Sequence, residues 1–380
     1  MKILVIMAGF FPGEKYGGPP VSVDNFCSLM KDDECFIITT NHDKDEMIAY
    51  DGIPVKTWVD RGNCRVMYLQ DQDYTKKSFE AMISDIKPHV LYLQGLFQRC
   101  ILPCLQIAKK YGTNVILAPR GELCAGAFHK KYKKLPYIAF LKCMGLLRNI
   151  CFQSTSREET EAIQKYLDAD ISNIFFLTNI PSISNKDFVR EIKQKGLGRF
   201  IFLSRIHPKK NLISAIGFFK NITGKAVFDI YGPIEDQAYW EECQQAITKL
   251  PDGIKAHYCG LVSHEKVHEI FSKYDAFVFP TFSENYGHVI AEALSVGIPV
   301  IISDQTPWRD LELSGCGWDI PLGQEKNYAD ALQTVIDMDQ HNFHAMSMKA
   351  KAYFNRKTRI DDIREMYHQT FMDISGRRNE

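Results

Sequence analysis

Short apolar runs, each closed by glycine, proline or a polar cluster, alternate along the chain with longer stretches in which apolar residues return every three or four positions. That alternation predicts buried parallel strands joined by amphipathic helices. In the first half, strands are expected at Lys2–Met7, Phe36–Thr39, Arg65–Leu69, Val90–Gln94, Val115–Ala118 and Ile174–Leu177, with helices that include Val21–Met30 and Ser154–Leu167. A second series opens at Arg199–Ser204. It continues through Phe228–Tyr231, Ala256–Cys259, Ala276–Phe279 and Val300–Ser303 to a Trp308–Glu312 helix, a strand at Trp318 and closing helices. The run SISNKDFVREIKQKGLG after Pro181 has no apolar face and reads as a linker. With 380 residues, too many for one core, the pattern implies two doubly wound α/β domains, at 1–183 and 199–355, joined across 184–198.

The densest chemistry lies between Ala276 and Asp304. The strand Ala276–Phe279 stops at Pro280, which cannot continue a hydrogen-bonded ladder. The loop that follows carries Ser283, Glu284 and Asn285, at the strand end where open α/β sheets bind ligands. Asn285 is the expected N-cap of a helix built on Val289, Ile290, Ala293, Leu294 and Val296, which Gly297 and Pro299 terminate. The N–H groups of Tyr286, Gly287 and His288 would fall in its first turn and form an anion site, with Gly287 allowing close approach. Two carboxylates frame it. Glu284 lies in the loop, and Glu292 sits on the helix between Ala291 and Ala293, where it would accept hydrogen bonds from a vicinal diol.

This pattern of two glutamates separated by seven residues, followed by GIPV and an apolar strand, resembles the signature of retaining nucleotide-sugar glycosyltransferases of group 1, family 4, with the GT-B fold. The resemblance implies two Rossmann-like domains facing across a cleft, the donor held mostly by the second and the acceptor by the first. It implies that Glu284 contacts the donor sugar, that Glu292 binds the ribose diol, and that the backbone around Asn285, Tyr286, Gly287, His288 and Val289 holds the distal phosphate. Arg205 and Lys210 in RIHPKKNL match the family's cation pair for the donor diphosphate, with Asn211 where glycine is frequent. Fixed cations there would stabilise the departing diphosphate without a metal. Gly232, and Gly260 with Leu261, match loops that line the nucleotide. Gly17 and Gly18, in the loop AGFFPGEKYGGPP, match a Gly-Gly loop over donor phosphate and acceptor. Arg120, in APRGEL, stands where many members have histidine and is assigned to the acceptor side, either as a ligand for a phosphate of acceptor or donor or as a structural ion pair. The last helix, about 356–380, is expected to cross back onto the first domain. The implied activity is transfer from a UDP- or GDP-linked sugar to a glycan or lipid-diphosphate-linked saccharide in surface polysaccharide (lipopolysaccharide) synthesis, with no cofactor.

Charge adds one element to this picture. Formal net charge is zero, but residues 1–195 hold 26 Lys and Arg against 22 Asp and Glu, and residues 99–150 hold ten basic side chains against Glu122 alone. The run FHKKYKKLPYIAFLKCMGLLRN therefore suggests contact of residues 129–148 with an anionic membrane face. Nothing suggests nucleic acid as a partner. Eleven cysteines without a C-x-x-C pair read as reduced thiols of a cytosolic protein, peripheral on the membrane at most. The initial KILVIMAGFF imitates a signal peptide but lacks a small-residue cleavage site, and is better read as the first strand.

Other readings compete. A GT-B protein that only binds sugar nucleotides, or a phosphorylase or epimerase, would keep the same cations. HEKVH at 264–268 matches a zinc-protease motif if His264 and His268 share one helix face, although Lys266 stands between them. Asp71-Gln72-Asp73 is read as a polar loop and not as a metal-binding D-x-D.

Overall fold

The computed structural model describes residues 1–377 except 14, 17, 45, 125–130 and 183–187. Gly17, the segment 184–187 of the expected linker and residues 129–130 of the basic run lie outside the described residues. The chain divides into two compact units, Met1–Ile180 with Ile360–Glu380, and Pro181–Arg359.

The first unit runs β1 (Lys2–Ile6), α1 (Gly18–Leu29), β2 (Glu34–Thr40), β3 (Trp58–Asp60), β4 (Arg65–Leu69), α2 (Lys76–Ile86), β5 (Val90–Gln94), α3 (Ile101–Tyr111), β6 (Asn114–Ala118), α4 (Lys131–Cys143), β7 (Cys151–Ser154), α5 (Arg157–Leu167) and β8 (Ile174–Phe176). The sheet order is β3-β4-β2-β1-β5-β6-β7-β8, parallel apart from the β3–β4 pair. Because β2 and β5 flank β1 on opposite sides, strand order reverses at β1, and the β1–β5 crevice is the switch point where doubly wound sheets take ligands. The expected helix at Ser154 starts later. Cys151–Ser154 pairs as a strand, and the Ser156 hydroxyl accepts the Glu159 N–H at 3.1 Å to begin α5.

The second unit runs β9 (Leu197–Leu203), α6 (Leu212–Phe218), β10 (Lys225–Tyr231), α7 (Gln237–Ile247), β11 (Ile254–Gly260), α8 (Val267–Phe271), β12 (Ala276–Phe279), α9 (His288–Ser295), β13 (Val300–Ser303), β14 (Gly317–Ile320), α10 (Glu325–Asp337) and α11 (Gln340–Thr358). Its sheet is wholly parallel, in the order β11-β10-β9-β12-β13-β14, and reverses at β9. The central strands bury Phe200 and Phe202 beside Phe277 and Phe279, which is why FIF and AFVF read as apolar runs. α12 (Ile360–Ser375) then joins the first unit, where Tyr367 and Phe371 are buried beside Phe26.

One expected helix is absent and another begins as a 3-10 turn. At Trp308–Glu312 the chain turns irregularly: Asp310 adopts φ +61°, and the Asp319 carboxylate accepts the N–H of Leu311 at 2.9 Å, so local backbone bonds displace helix formation. HEKVH is broken into a 3-10 turn at His264–Lys266 followed by α8. Among the described residues no helix is long and apolar enough to cross a membrane.

Candidate functional site

In the second unit the loops after β9 and β12, neighbours at the switch point, carry the charged residues. β9 ends at Leu203, and the chain passes through Arg205 and a 3-10 turn at Pro208–Lys210 before α6. Asn211 closes this turn in the left-handed region, φ +58°, which explains why glycine would also serve there. Unlike glycine it adds a bond, its Nδ2 donating to Pro280 O at 3.0 Å, which ties the loop to the end of β12.

That tie sets Lys210 against Glu284. The two form an ion pair in which both side chains are largely buried, the lysine 9% and the glutamate 17% exposed. Burial pulls the Lys210 ammonium below its ordinary pKa, and the Glu284 charge opposes that pull. Arg205 is held differently: it makes a forked pair with both Glu235 oxygens, at 2.7 and 2.9 Å, and is 41% exposed. Both cations that sequence reasoning assigned to the diphosphate are thus engaged by carboxylates.

The Glu284 loop is fixed from the far side. Glu284 N donates to Gln305 O at 3.1 Å, and the indole of buried Trp308 donates to Tyr286 O at 2.6 Å. These bonds carry the chain two residues past Asn285 before the helix begins. The N-cap is therefore Gly287 and not Asn285, which is exposed. Gly287 has φ +77°, the left-handed region that favours glycine, and a Cβ there would press on the tip of the Ile290 side chain at 2.9 Å. Tyr286 and His288 stand beside this terminus, their rings 4.9 Å apart, with Val289 the second residue of α9.

Glu292 is buried, and burial raises its carboxyl pKa. His264, whose Nδ1 lies 3.7 Å from Oε1, opposes that shift. The other histidine of HEKVH, His268, is buried with Nε2 at 3.4 Å from Ser182 O, and burial lowers its pKa to about 4. The two histidines therefore have separate partners. Among the described residues no group of three His, Cys, Asp or Glu side chains is arranged to hold a metal ion. Gly232, φ +134°, brings the loop after β10 against the β9 loop so closely that a Cβ would lie 1.9 Å from Ser204 O. Gly260 ends β11 at φ +80°, and Leu261 beyond it is 53% exposed.

In the first unit, Gly18 opens α1 and Arg120 follows β6. Arg120 is not in an ion pair with any described residue. Its Nε donates to Gln94 Oε1 at 2.7 Å, Nη2 to the Tyr92 hydroxyl at 3.0 Å and Nη1 to Asn179 Oδ1 at 3.3 Å. The alternative of a structural salt bridge is thereby replaced by a cation held among neutral groups.

Sequence reasoning missed Glu235, Trp308 and Gln305 as supports of the site, and met His264 only as a zinc candidate. Glu235, three residues past Gly232 in the loop after β10, carried the one usable signal, an acid at a strand's carboxyl end.

Residues 184–353 match the family model for glycosyl transferases group 1. Among curated relatives, an uncharacterised 41.2 kDa protein in the cps region of Klebsiella pneumoniae is 25% identical over 64% of this chain, and the O-antigen chain mannosyltransferase RfbU of Salmonella typhimurium is 26% identical over 52%. The matched stretches span 66% and 54% of those relatives' lengths, respectively. Anabaena HepE, solved with UDP and glucose, superposes with a TM-score of 0.70 at 14% identity over 98% of this chain and 100% of its own. WaaG, a glycosyltransferase involved in lipopolysaccharide biosynthesis, gives 0.62 at 12% identity over 99% of this chain and 100% of its own. Residues 184–353 thus match the group 1 glycosyltransferases, and the two Rossmann-like units have the GT-B fold.

Proposed function

We propose that this protein is a retaining glycosyltransferase that moves a sugar from a UDP- or GDP-linked donor to a glycan or lipid-linked saccharide in surface polysaccharide synthesis. The observation that carries the reading is the Lys210–Glu284 pair beside the α9 N-terminus at the switch point of the second sheet. A nucleotide sugar carries both kinds of group that would open this pair: phosphate oxygens for the ammonium and sugar hydroxyls for the carboxylate. Arg205 would exchange Glu235 for the diphosphate in the same way. As the glycosidic bond breaks, charge accumulates on the leaving diphosphate, and cations already in place stabilise it with little reorganisation. That chemistry needs no metal ion. Glu292 on α9 takes the ribose diol. The likeness to HepE, whose structure holds UDP and glucose, and to RfbU, named for mannosyl transfer to O-antigen, supports the donor and acceptor classes.

The test is direct. The protein is incubated with UDP- and GDP-hexoses and a lipid-diphosphate-linked saccharide, with and without chelator, and the anomeric configuration of the product is read by NMR. Transfer with retention, unchanged by chelator, is expected. Binding of nucleotide without transfer would make the protein a sugar-nucleotide binder, and no binding of either nucleotide would overturn the reading.

Transfer to a lipid-linked acceptor also calls for contact with the membrane face, which we assign to α4. Tyr132, Leu135, Phe140 and Met144 on and just after this helix are 72%, 43%, 46% and 47% exposed, an apolar surface on a basic segment. Vesicles containing anionic lipid should sediment the protein at low salt and release it at high salt. The pair Leu135→Asp and Phe140→Asp should abolish sedimentation, and its persistence would remove α4 from the contact.

A further inference from the structure

The first unit has its own crevice at the β1–β5 switch point. It encloses about 120 Å³ between Met7, Ala8 and Gly9 after β1, Gln94 and Gly95 at the end of β5, and Arg120 after β6. The crevice is open to solvent and has room for a compact polar group.

The walls carry the Arg120 guanidinium and the Gln94 amide as donors, beside one carboxylate, Glu122. Arg120 is turned into place by a backbone at φ +56°, followed by Gly121 at φ +74°. The turn is held by Glu159, 1% exposed, whose carboxylate accepts the N–H groups of Gly121 at 2.7 Å and Thr155 at 2.8 Å. Every hydrogen-bond partner of the guanidinium is neutral. The carboxylate in the lining, Glu122, is held by other donors, Oε2 accepting the N–H groups of Leu96 and Phe97 and Oε1 accepting Gln98 Nε2 at 3.4 Å. Gln94 is 2% exposed and its orientation is dictated by Arg120: a guanidinium N–H can only donate, so the amide oxygen faces it and the amide nitrogen points away. That nitrogen is buried with no hydrogen-bond partner. A half-buried cation without a counter-ion and a buried N–H without an acceptor are each costly, and one anionic oxygen group relieves both.

We propose that this crevice binds an oxyanion of the acceptor, a phosphate or a carboxylate, with Arg120 supplying charge and Gln94 acting as the specificity-determining donor. Assigning the anion to the acceptor rests on the transferase reading; the binding of an anion does not. The acceptor would then be acidic close to its reacting end, as a diphosphate-linked saccharide or a uronic acid residue would be.

The experiment uses the full chain carrying Arg205→Ala and Lys210→Ala, so that the proposed donor cations contribute nothing. Inorganic pyrophosphate and free glucuronate are titrated separately by calorimetry. Binding of one of them is expected, and it should weaken at least about tenfold in Arg120→Gln, which removes a charge-assisted bond. Gln94→Glu places a carboxylate against Arg120 in the anion's stead. It should abolish binding while keeping the chain folded, so a poorly folded Arg120 variant does not leave the question open. Pyrophosphate binding identifies a phosphate source and glucuronate binding an acidic sugar. If neither binds, or if binding survives both Arg120→Gln and Gln94→Glu, the proposal is wrong. Binding that is present in a protein that transfers no sugar would sink the transferase reading and leave the crevice standing.

Discussion

Lys210 and Arg120 each stand just past the carboxyl end of a parallel strand near a switch point, one in each unit, yet their surroundings differ. Lys210 is closed on Glu284, whereas Arg120 touches two amide oxygens and a phenol. The first arrangement satisfies its charges internally, and any ligand must supply groups good enough to separate them. The second has its charge unanswered. Paired charges favour discrimination, because only a ligand offering both an anion and hydroxyls compensates both partners. An unanswered charge favours capture of any small anion of the right size.

The largest effect expected from this contrast is that of Lys210→Ala. It should lower the transfer rate by about 100-fold or more, since a fixed cation on the leaving diphosphate is worth ~3 kcal/mol in the transition state. It should also destabilise the fold by roughly 1–3 kcal/mol, because Glu284 is then a largely buried carboxylate without its partner. Urea unfolding measures the second quantity. Arg120→Gln orphans no charge, so a loss of stability equal to that of Lys210→Ala would erase the distinction drawn between the two cations.

Next come the two glutamates. On the proposed reading, in which Glu284 orients the transferred sugar, Glu284→Gln should lower kcat by roughly tenfold to 100-fold with little change in affinity for the nucleoside diphosphate. Glu292→Gln should raise KM for the donor and weaken the diphosphate alike. Calorimetry and initial rates separate the two, and the reverse pattern would exchange their roles. Arg205→Ala should cost less than Lys210→Ala on both counts: its pair with Glu235 is about two-fifths exposed, so the loss of folding stability should stay below ~1 kcal/mol.

The strand, loop, helix and strand from Ala276 to Ser303 were legible because each boundary is local: a proline after four apolar residues, apolar positions at helical spacing, then Gly297 and Pro299. What escaped depends on partners distant in sequence. Gly287 rather than Asn285 caps α9 because Trp308, more than twenty residues on, holds Tyr286 O. The apparent helix at Trp308–Glu312 fails because Asp319 takes the N–H of Leu311. Arg205 and Lys210 were visible as cations, but that each is engaged by a carboxylate follows only when the loops after β9, β10 and β12 are brought together. Gln94 gave no signal at all. A glutamine closing an apolar strand is ordinary until Arg120 dictates which end of its amide it meets and which is left without a partner.

The smallest effect concerns Glu292 and pH. Burial raises its carboxyl pKa in the folded chain above the ordinary ~4.3, so between those two values the native protein keeps a proton that the unfolded chain has lost. Its contribution to stability is therefore full below the unfolded value and declines as pH rises through the folded one. Nucleotide binding should run the opposite way. A ribose diol presents two hydroxyl donors, and only the ionised carboxylate accepts both, so affinity should rise over the same interval and binding should release a proton. His264, at 3.7 Å, favours the ionised form. Its replacement by glutamine should shift the affinity curve to higher pH, with a change of about threefold to tenfold at a fixed pH inside the interval, and Glu292→Gln should flatten the curve altogether. Calorimetry with nucleoside diphosphate in two buffers of different ionisation enthalpy reads the proton directly. A pH-independent affinity with no proton released would mean that Glu292 does not hold the ribose, and that its burial between Ala291 and Ala293 serves packing alone.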